Sequence, residues 1–258
     1  MDNKKLISVV KENFTIAEEK FYISKQGNKV ELNNFIDEMI DRTEIINADK
    51  EYSLINSDIK KDYIVRKNII NLGTIDTILK LRSEGVEGNI IALDFASAIN
   101  PGGGYLNGSK AQEESLCRAS MLYESLEKQK EFYNYNKENY NPLNNDRMIY
   151  IPNVPIIRND KLELLDKVEF ASFIVSPAPN RRRAYYDGIN DDKIIYKVMD
   201  SRIEKILKLA ISKNPSVLIL GAFGCGVFGN DREVVYDIFE KQIRKIIPKD
   251  IEVIFSLI

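Results

Sequence analysis

The sequence contains no histidine. That absence removes the Ser-His-Asp and Cys-His triads and the usual histidine-bearing zinc sites. Acid–base chemistry must then fall to carboxylates, lysine, tyrosine or cysteine. Cysteine is scarce too: Cys117 and Cys225 lie far apart in the chain. With no secretory signal they read as free thiols of a reducing compartment. The opening Met1-Asp2-Asn3-Lys4-Lys5-Leu6 lacks the apolar core of a signal peptide. No apolar run approaches the length of a membrane span. The expectation is a cytoplasmic protein with no membrane partner. Net charge is only −2, which argues against general nucleic-acid binding through a phosphate backbone. An anionic ligand must be held by local geometry.

What remains is ordinary globular composition, 44% hydrophobic and 29% charged over 258 residues. Leu6 to Ala17 has helical periodicity. Phe21 to Ile23 and Lys29 to Leu32 read as short strands around Gly27-Asn28, and Asn33 to Ile46 as a helix. Residues 1–60 show no core of their own and are read as an N-terminal extension packed on a main domain spanning 61–258.

From about residue 60 strands alternate with helices. Strands are expected at Tyr63-Ile64-Val65, Asn89 to Ala96, Met148 to Pro152, Val168 to Ser176, Ser216 to Leu220 and Ile251 to Ile258. Helices are expected over Thr74 to Ser83, Ala111 to Leu126, Glu131 to Asn145, Asp191 to Lys213 and Asp231 to Ile247. That alternation argues for an α/β sandwich.

Two glycine loops carry the functional signal. Asn100-Pro101-Gly102-Gly103-Gly104 follows a buried strand, and Gln112-Glu113-Glu114 opens the next helix. Glycine permits positive φ and close approach of backbone N–H groups to a ligand. Acidic residues at a helix start can simply complement its dipole, but here they also face a ligand-shaped loop. The second loop, Gly221-Ala222-Phe223-Gly224-Cys225-Gly226-Val227-Phe228-Gly229, again lies between a strand and a helix. Such a loop offers N–H groups to phosphate oxygens. Together the loops imply one crevice for an extended ligand with phosphates.

Two decoys fail. Gly224 to Gly229 fits the G-x-G-x-x-G syntax, but the strand that follows, Ile251 to Ile258, has no acidic residue at its end to hold a dinucleotide ribose. Gly103 to Gly108 has the spacing of a phosphate-binding P-loop, but Ser109-Lys110 reverses the required order.

Gly102-Gly103-Gly104, seven residues, then Gln112-Glu113-Glu114 resembles the signature of poly(ADP-ribose) glycohydrolases. Asn100-Pro101 and Ala111 to Leu116 resemble the compact bacterial type. Gly221 to Asp231 is similar to that family's diphosphate loop, and Ile151 to Pro155 and Ser176 to Asn180 to its inter-strand segments. The resemblance runs from about Tyr63 to the C-terminus. It implies a macrodomain-like three-layer α/β/α sandwich with a mixed sheet and an N-terminal helical extension. It also implies metal- and cofactor-free release of ADP-ribose, mainly from the ends of poly(ADP-ribose).

By matching position, the resemblance makes Glu114 the catalytic acid/base and Glu113 the residue that orients the scissile linkage. Gly102, Gly103 and Gly104 would shape the terminal-ribose pocket. Gly224, Cys225, Gly226, Val227 and Phe228 would hold the diphosphate, with Phe228 against the ribose. Asn100 and Gln112 complete the substrate-binding candidates. Glycosidic cleavage needs a proton for the leaving oxygen and stabilisation of an oxocarbenium-like centre. One carboxyl acting first as acid and then as base meets the first need, and the substrate's diphosphate helps with the second.

Two other functions fit the same pocket: a non-catalytic ADP-ribose reader, and a hydrolase of mono-ADP-ribosylated protein. The pair Glu113 and Glu114 favours the polymer hydrolase. The expected partners are poly(ADP-ribose) or ADP-ribosylated protein, with ADP-ribose as product and a monomer as the working unit. Arg181-Arg182-Arg183 reads as a solvated loop or a contact to the rest of the polymer. The tyrosines from Tyr133 to Tyr140 read as a packed helix face. Asp94 reads as either ligand-facing or structural.

Overall fold

The computed structural model describes residues 2–52 and 58–257. The chain opens with helix α1 (Asn3–Glu19), whose Leu6, Val9, Val10, Asn13 and Ile16 recur on one buried stripe. A hairpin of β1 (Phe21–Ile23) and β2 (Lys29–Glu31) follows. Helix α2 (Phe35–Asp41) is shorter than the periodicity from Asn33 to Ile46 predicts. Its last residues instead form β3 (Glu44–Ile46), which pairs with the main sheet.

Tyr63-Ile64-Val65 is not a strand. A 3₁₀ turn occupies Val65–Lys67, and the strand is β4 (Ile69–Ile70). Helix α3 (Thr74–Ser83) leads to β5 (Asn89–Phe95). The helix expected from Ala111 to Leu126 is two, α4 (Gln112–Ala119) and α5 (Leu122–Leu126). The break falls at Ser120, which leaves the helical conformation to bridge to Ile156.

Helix α6 (Lys130–Glu138) precedes β6 (Met148–Arg158) and β7 (Leu164–Ser176), which form a long antiparallel ribbon. Ile151 to Pro155 therefore lies inside β6, at a shift of register, rather than between strands. Helix α7 (Arg181–Tyr186) replaces the solvated loop expected at the three arginines, because Asn180 Oδ1 caps it by accepting from Arg183 N–H at 3.0 Å. The chain closes with α8 (Asp192–Ser212), β8 (Pro215–Leu220), α9 (Arg232–Ile246) and β9 (Glu252–Ser256). The final strand was expected to reach Ile258, which lies outside the described residues.

Seven strands form a mixed sheet in the order β3-β6-β7-β5-β8-β9-β4. β3 pairs antiparallel with β6 and β6 antiparallel with β7, while β5 is flanked in parallel by β7 and β8. The alternation of strand side chains splits the interior in two. Ile90 and Ala92 of β5 join a core covered by α1 to α6, whereas Ile91 and Leu93 join a core covered by α8 and α9. The result is the expected three-layer α/β/α arrangement.

By the same alternation Asp94 falls on the side of Ile90 and Ala92, beneath α4. A carboxylate at this position of the central strand is buried completely. Both glycine loops leave the sheet at the carboxyl ends of neighbouring parallel strands, β5 and β8. In open α/β sheets that edge forms the ligand crevice.

Candidate active site

The first loop is built around its own carboxylates. Gly102 and Gly103 have φ of +65° and +59°, a conformation that L side chains rarely adopt. A Cβ on Gly103 would lie 2.7 Å from Glu114 Oε1 and 2.9 Å from Glu113 Oε2. Only glycine lets the loop close over both acids. Gly104 N–H then donates to Glu114 Oε1 at 2.8 Å, and Ser97 N–H donates to Glu113 Oε2 at 2.8 Å. Both acids occupy the first turn of α4, where the helix dipole favours negative charge.

Gln112 fastens that helix to the sheet. Its amide donates to Leu93 O at 2.8 Å, and its Oε1 accepts from Phe95 N–H at 2.9 Å. Asn100 completes the turn through its backbone: its carbonyl accepts from Gly103 N–H at 3.0 Å, and its N–H donates to Ser97 Oγ at 3.1 Å.

Behind the loop lie three acids in contact range of one another's charge. Glu113 and Asp94 are both buried, and each titrates well above the ordinary carboxylate range. For Glu113 the main cause is burial, followed by the charge of Asp94, while the Ser97 N–H pulls the other way. For Asp94 it is burial, then the charge of Glu114. Among the described residues neither oxygen of Asp94 has a hydrogen-bond partner, and neither does Glu113 Oε1. Burial and the neighbouring charges both disfavour ionisation of these carboxyls relative to exposed ones.

Glu113 and Glu114 open onto a cavity of about 540 Å³. Gly103, Gln112, Glu113 and Glu114 line one side, and Gly224, Cys225, Gly226, Val227 and Phe228 line the other. The crevice thus joins both loops. Asn100, Gly102 and Gly104 shape it from behind and are not on its wall.

The second loop has a different construction. Gly224, at φ +71°, is pinned between Ala178 and Asn230, whereas a Cβ on Gly226 would meet nothing within 4 Å. Val227 is 71% exposed. Asp231 caps α9 by accepting from Glu233 N–H at 2.9 Å, so the positive end of a 15-residue helix backs the loop. Burial raises the Cys225 thiol to about 12, so it is neutral near pH 7 and a poor nucleophile.

Arg232, Ser97 and Asn71 also line the cavity, and none was singled out from the sequence. Arg232 had a legible signal, a cation at the start of the helix after a phosphate-type loop. Ser97 and Asn71 had none.

Paired glycine loops over a buried acid cluster, in a crevice of sugar-diphosphate size, define a glycoside-cleaving site on a macrodomain-like fold. The family model described as "Microbial-type PARG, catalytic domain" matches residues 10–159, which include the first loop and all three acids. Among solved structures, the poly(ADP-ribose) glycohydrolase of Thermomonospora curvata superposes with a TM-score of 0.85 at 29% identity, covering 98% of this chain and 93% of that one. The same enzyme bound to the inhibitor ADP-HPD gives 0.86 at 29% identity, over 99% and 93%. The Deinococcus radiodurans poly(ADP-ribose) glycohydrolase in complex with ADP-ribose gives 0.72 at 28%, over 86% and 90%. No curated protein matches the chain. The chain belongs to the microbial-type poly(ADP-ribose) glycohydrolase family. It is a hydrolase, and no helix among its described residues is long and apolar enough to cross a membrane.

Proposed function

We propose that this chain cleaves the ribose–ribose bond of poly(ADP-ribose) from chain ends, with Glu114 as the acid/base. The observation that carries this reading is the placement of Glu114. It lies on the cavity wall with one oxygen held by Gly104 N–H at 2.8 Å, which leaves Oε2 to meet the leaving oxygen. The terminal ADP-ribose unit lays its diphosphate on Gly224–Phe228, close to Arg232. Its distal ribose lies between Gly103 and Phe228.

Glu114 gives its proton to the departing 2′-oxygen as the glycosidic bond breaks. The anionic diphosphate of the same unit stabilises the cationic ribose. Glu114 then takes a proton from the water that adds to the anomeric carbon, which completes hydrolysis without a metal. Glu113, on the cavity wall, meets a ribose hydroxyl and so fixes the linkage for attack. Asp94 sits beneath them as a buried acid whose ionisation is disfavoured by burial and by the charge of Glu114.

Residues 61–258 act as the catalytic domain and residues 1–60 as an extension packed upon it. We take the working unit to be a monomer. We place its work in the cytoplasm, where its thiols stay reduced.

Incubating the pure protein with poly(ADP-ribose) tests the activity and its direction together. Free ADP-ribose should dominate from early times. Early accumulation of mid-length oligomers would refute chain-end cleavage. Tight ADP-ribose binding with no release from polymer would make the protein a reader.

A further inference from the structure

We propose that the face of α7 beside the diphosphate loop is a second subsite, which holds the penultimate ADP-ribose unit of a bound polymer. This rests on the glycohydrolase reading above.

Helix α7 is fixed to the lip of the cavity. Arg182 N–H donates to Phe228 O at 3.0 Å, and Asn230 Nδ2 donates to Pro179 O at 2.8 Å. The Arg182 side chain lies on the backbone of Gly229, where a Cβ would come within 2.7 Å of its Cγ. Among the described residues Arg182 has no carboxylate within ion-pairing distance, so its charge is available to a ligand.

Beyond Arg182, aromatic rings and guanidinium groups interleave. Arg183 lies 4.9 Å over the Tyr186 ring and 5.7 Å over the Tyr140 ring, and Arg181 lies 4.8 Å over Tyr185. Tyr186 is 81% exposed and Tyr140 54%. These side chains are held in place: Arg183 Nε donates to Asp187 at 3.0 Å, and Tyr140 O–H donates to the same carboxylate at 3.1 Å. Arg181 forms a two-pronged pair with Asp192. The entropy of ordering them is therefore spent before any ligand arrives.

The chemistry of this surface matches the repeat of the polymer. Each unit carries one purine ring and one diphosphate. Base stacking on an exposed ring, with guanidinium groups beside it for the phosphates, is how proteins hold flexible nucleotide chains without reading sequence. The surface also adjoins the crevice. Asn136 of α6 donates to Ala98 O at 2.9 Å at the root of the first loop, and Tyr140 follows about one turn later. Ala178, on the cavity wall, leads directly into α7. The patch of Tyr140, Arg183 and Tyr186 thus adjoins the cavity through Ala178 and the diphosphate loop.

The test uses Arg183→Ala and Tyr186→Ala, alone and together, since both side chains are exposed and their loss leaves the core intact. In a Glu114→Gln background, which preserves unhydrolysed polymer, long poly(ADP-ribose) should bind about tenfold more weakly to the double variant. Affinity for free ADP-ribose should stay unchanged. In the otherwise native enzyme KM for polymer should rise while kcat holds. Unchanged polymer affinity overturns the proposal, as does a parallel loss of ADP-ribose affinity. Single-stranded oligoadenylate that binds the native protein as tightly as polymer, and loses that binding in the variants, would make the patch a nucleic-acid surface and also overturn it. Native protein that releases no ADP-ribose from polymer refutes the underlying activity. Native protein that does so, with KM unmoved in the variants, refutes the subsite alone.

Discussion

The two glycine loops leave neighbouring strands of one sheet, yet they use glycine for opposite reasons. In the first loop the space around each glycine is already filled by the protein: Tyr123 against Gly102, the two glutamates against Gly103, Ser109 against Gly104. In the second loop Gly226 faces open space and Val227 stands out in solvent. A loop that must fix a reacting carboxyl is over-determined from within. A loop that binds with backbone N–H groups is left bare for its ligand. Substitutions should therefore damage catalysis and stability in the first loop, and affinity alone at Gly226 of the second.

The largest effect should come from Glu114→Gln. The variant keeps the shape and the bond from Gly104 but cannot shuttle the proton. Turnover on poly(ADP-ribose) should fall by at least about a hundredfold, with ADP-ribose affinity by calorimetry little changed. Glu113→Gln should also slow turnover, and the double variant should lose less than the sum, because both residues serve one step. A nearly native rate for Glu114→Gln would remove it from the mechanism.

Next comes Gly103→Ala. The methyl group meets two buried carboxyls, and the left-handed backbone adds about 1–2 kcal/mol of strain. Both melting temperature and turnover should drop. Gly226→Val sharpens the contrast: its melting temperature should hold while ADP-ribose affinity falls about tenfold, because side-chain bulk blocks approach to the N–H groups. A variant that melts early but binds normally would reverse the assignment of the two loops.

A smaller effect separates the loops by pH. Asp94 and Glu113 titrate above their unfolded values. The stability they contribute is complete below the ordinary carboxylate range and is lost as pH rises through their folded-state values. Asp94→Asn removes part of that loss, so its melting temperature relative to native protein should rise between pH 5 and pH 8. A flat difference would mean that Asp94 is charged in the fold. The smallest expected effect is none: EDTA should leave hydrolysis intact, and restoration of lost activity by a divalent ion would overturn the carboxylate mechanism.

Much of this site was legible before folding, for a physical reason. Gly102–Gly104 and Gln112–Glu114 are close in sequence, and a loop that covers its own acids must carry both within a few residues. The helix starts at Asp191 and Asp231 were legible because capping is local. The misreadings come from contacts distant in sequence. Glu44 to Ile46 is helical by periodicity and becomes a strand because Met148 to Tyr150 offers a partner edge. Helix α4 breaks at Ser120 because β6 passes beside it. Asp94 could not be assigned because its meaning depends on which sheet face it occupies. Arg232 reaches the cavity only through the turn of α9.

The position of β5 has a consequence for how the protein assembles. This strand carries Asp94 and feeds the first glycine loop, and it sits between β7 and β8, whose residues come roughly 80 and 125 positions later. Parallel pairings at that separation pay loop-closure entropy before they return any contact energy, so they form slowly. During synthesis the strand that bears Asp94 therefore waits, unflanked until β7 emerges and open on one side until β8 follows. Catalytic competence should appear late and in one step with the central sheet, after the N-terminal helix has already formed.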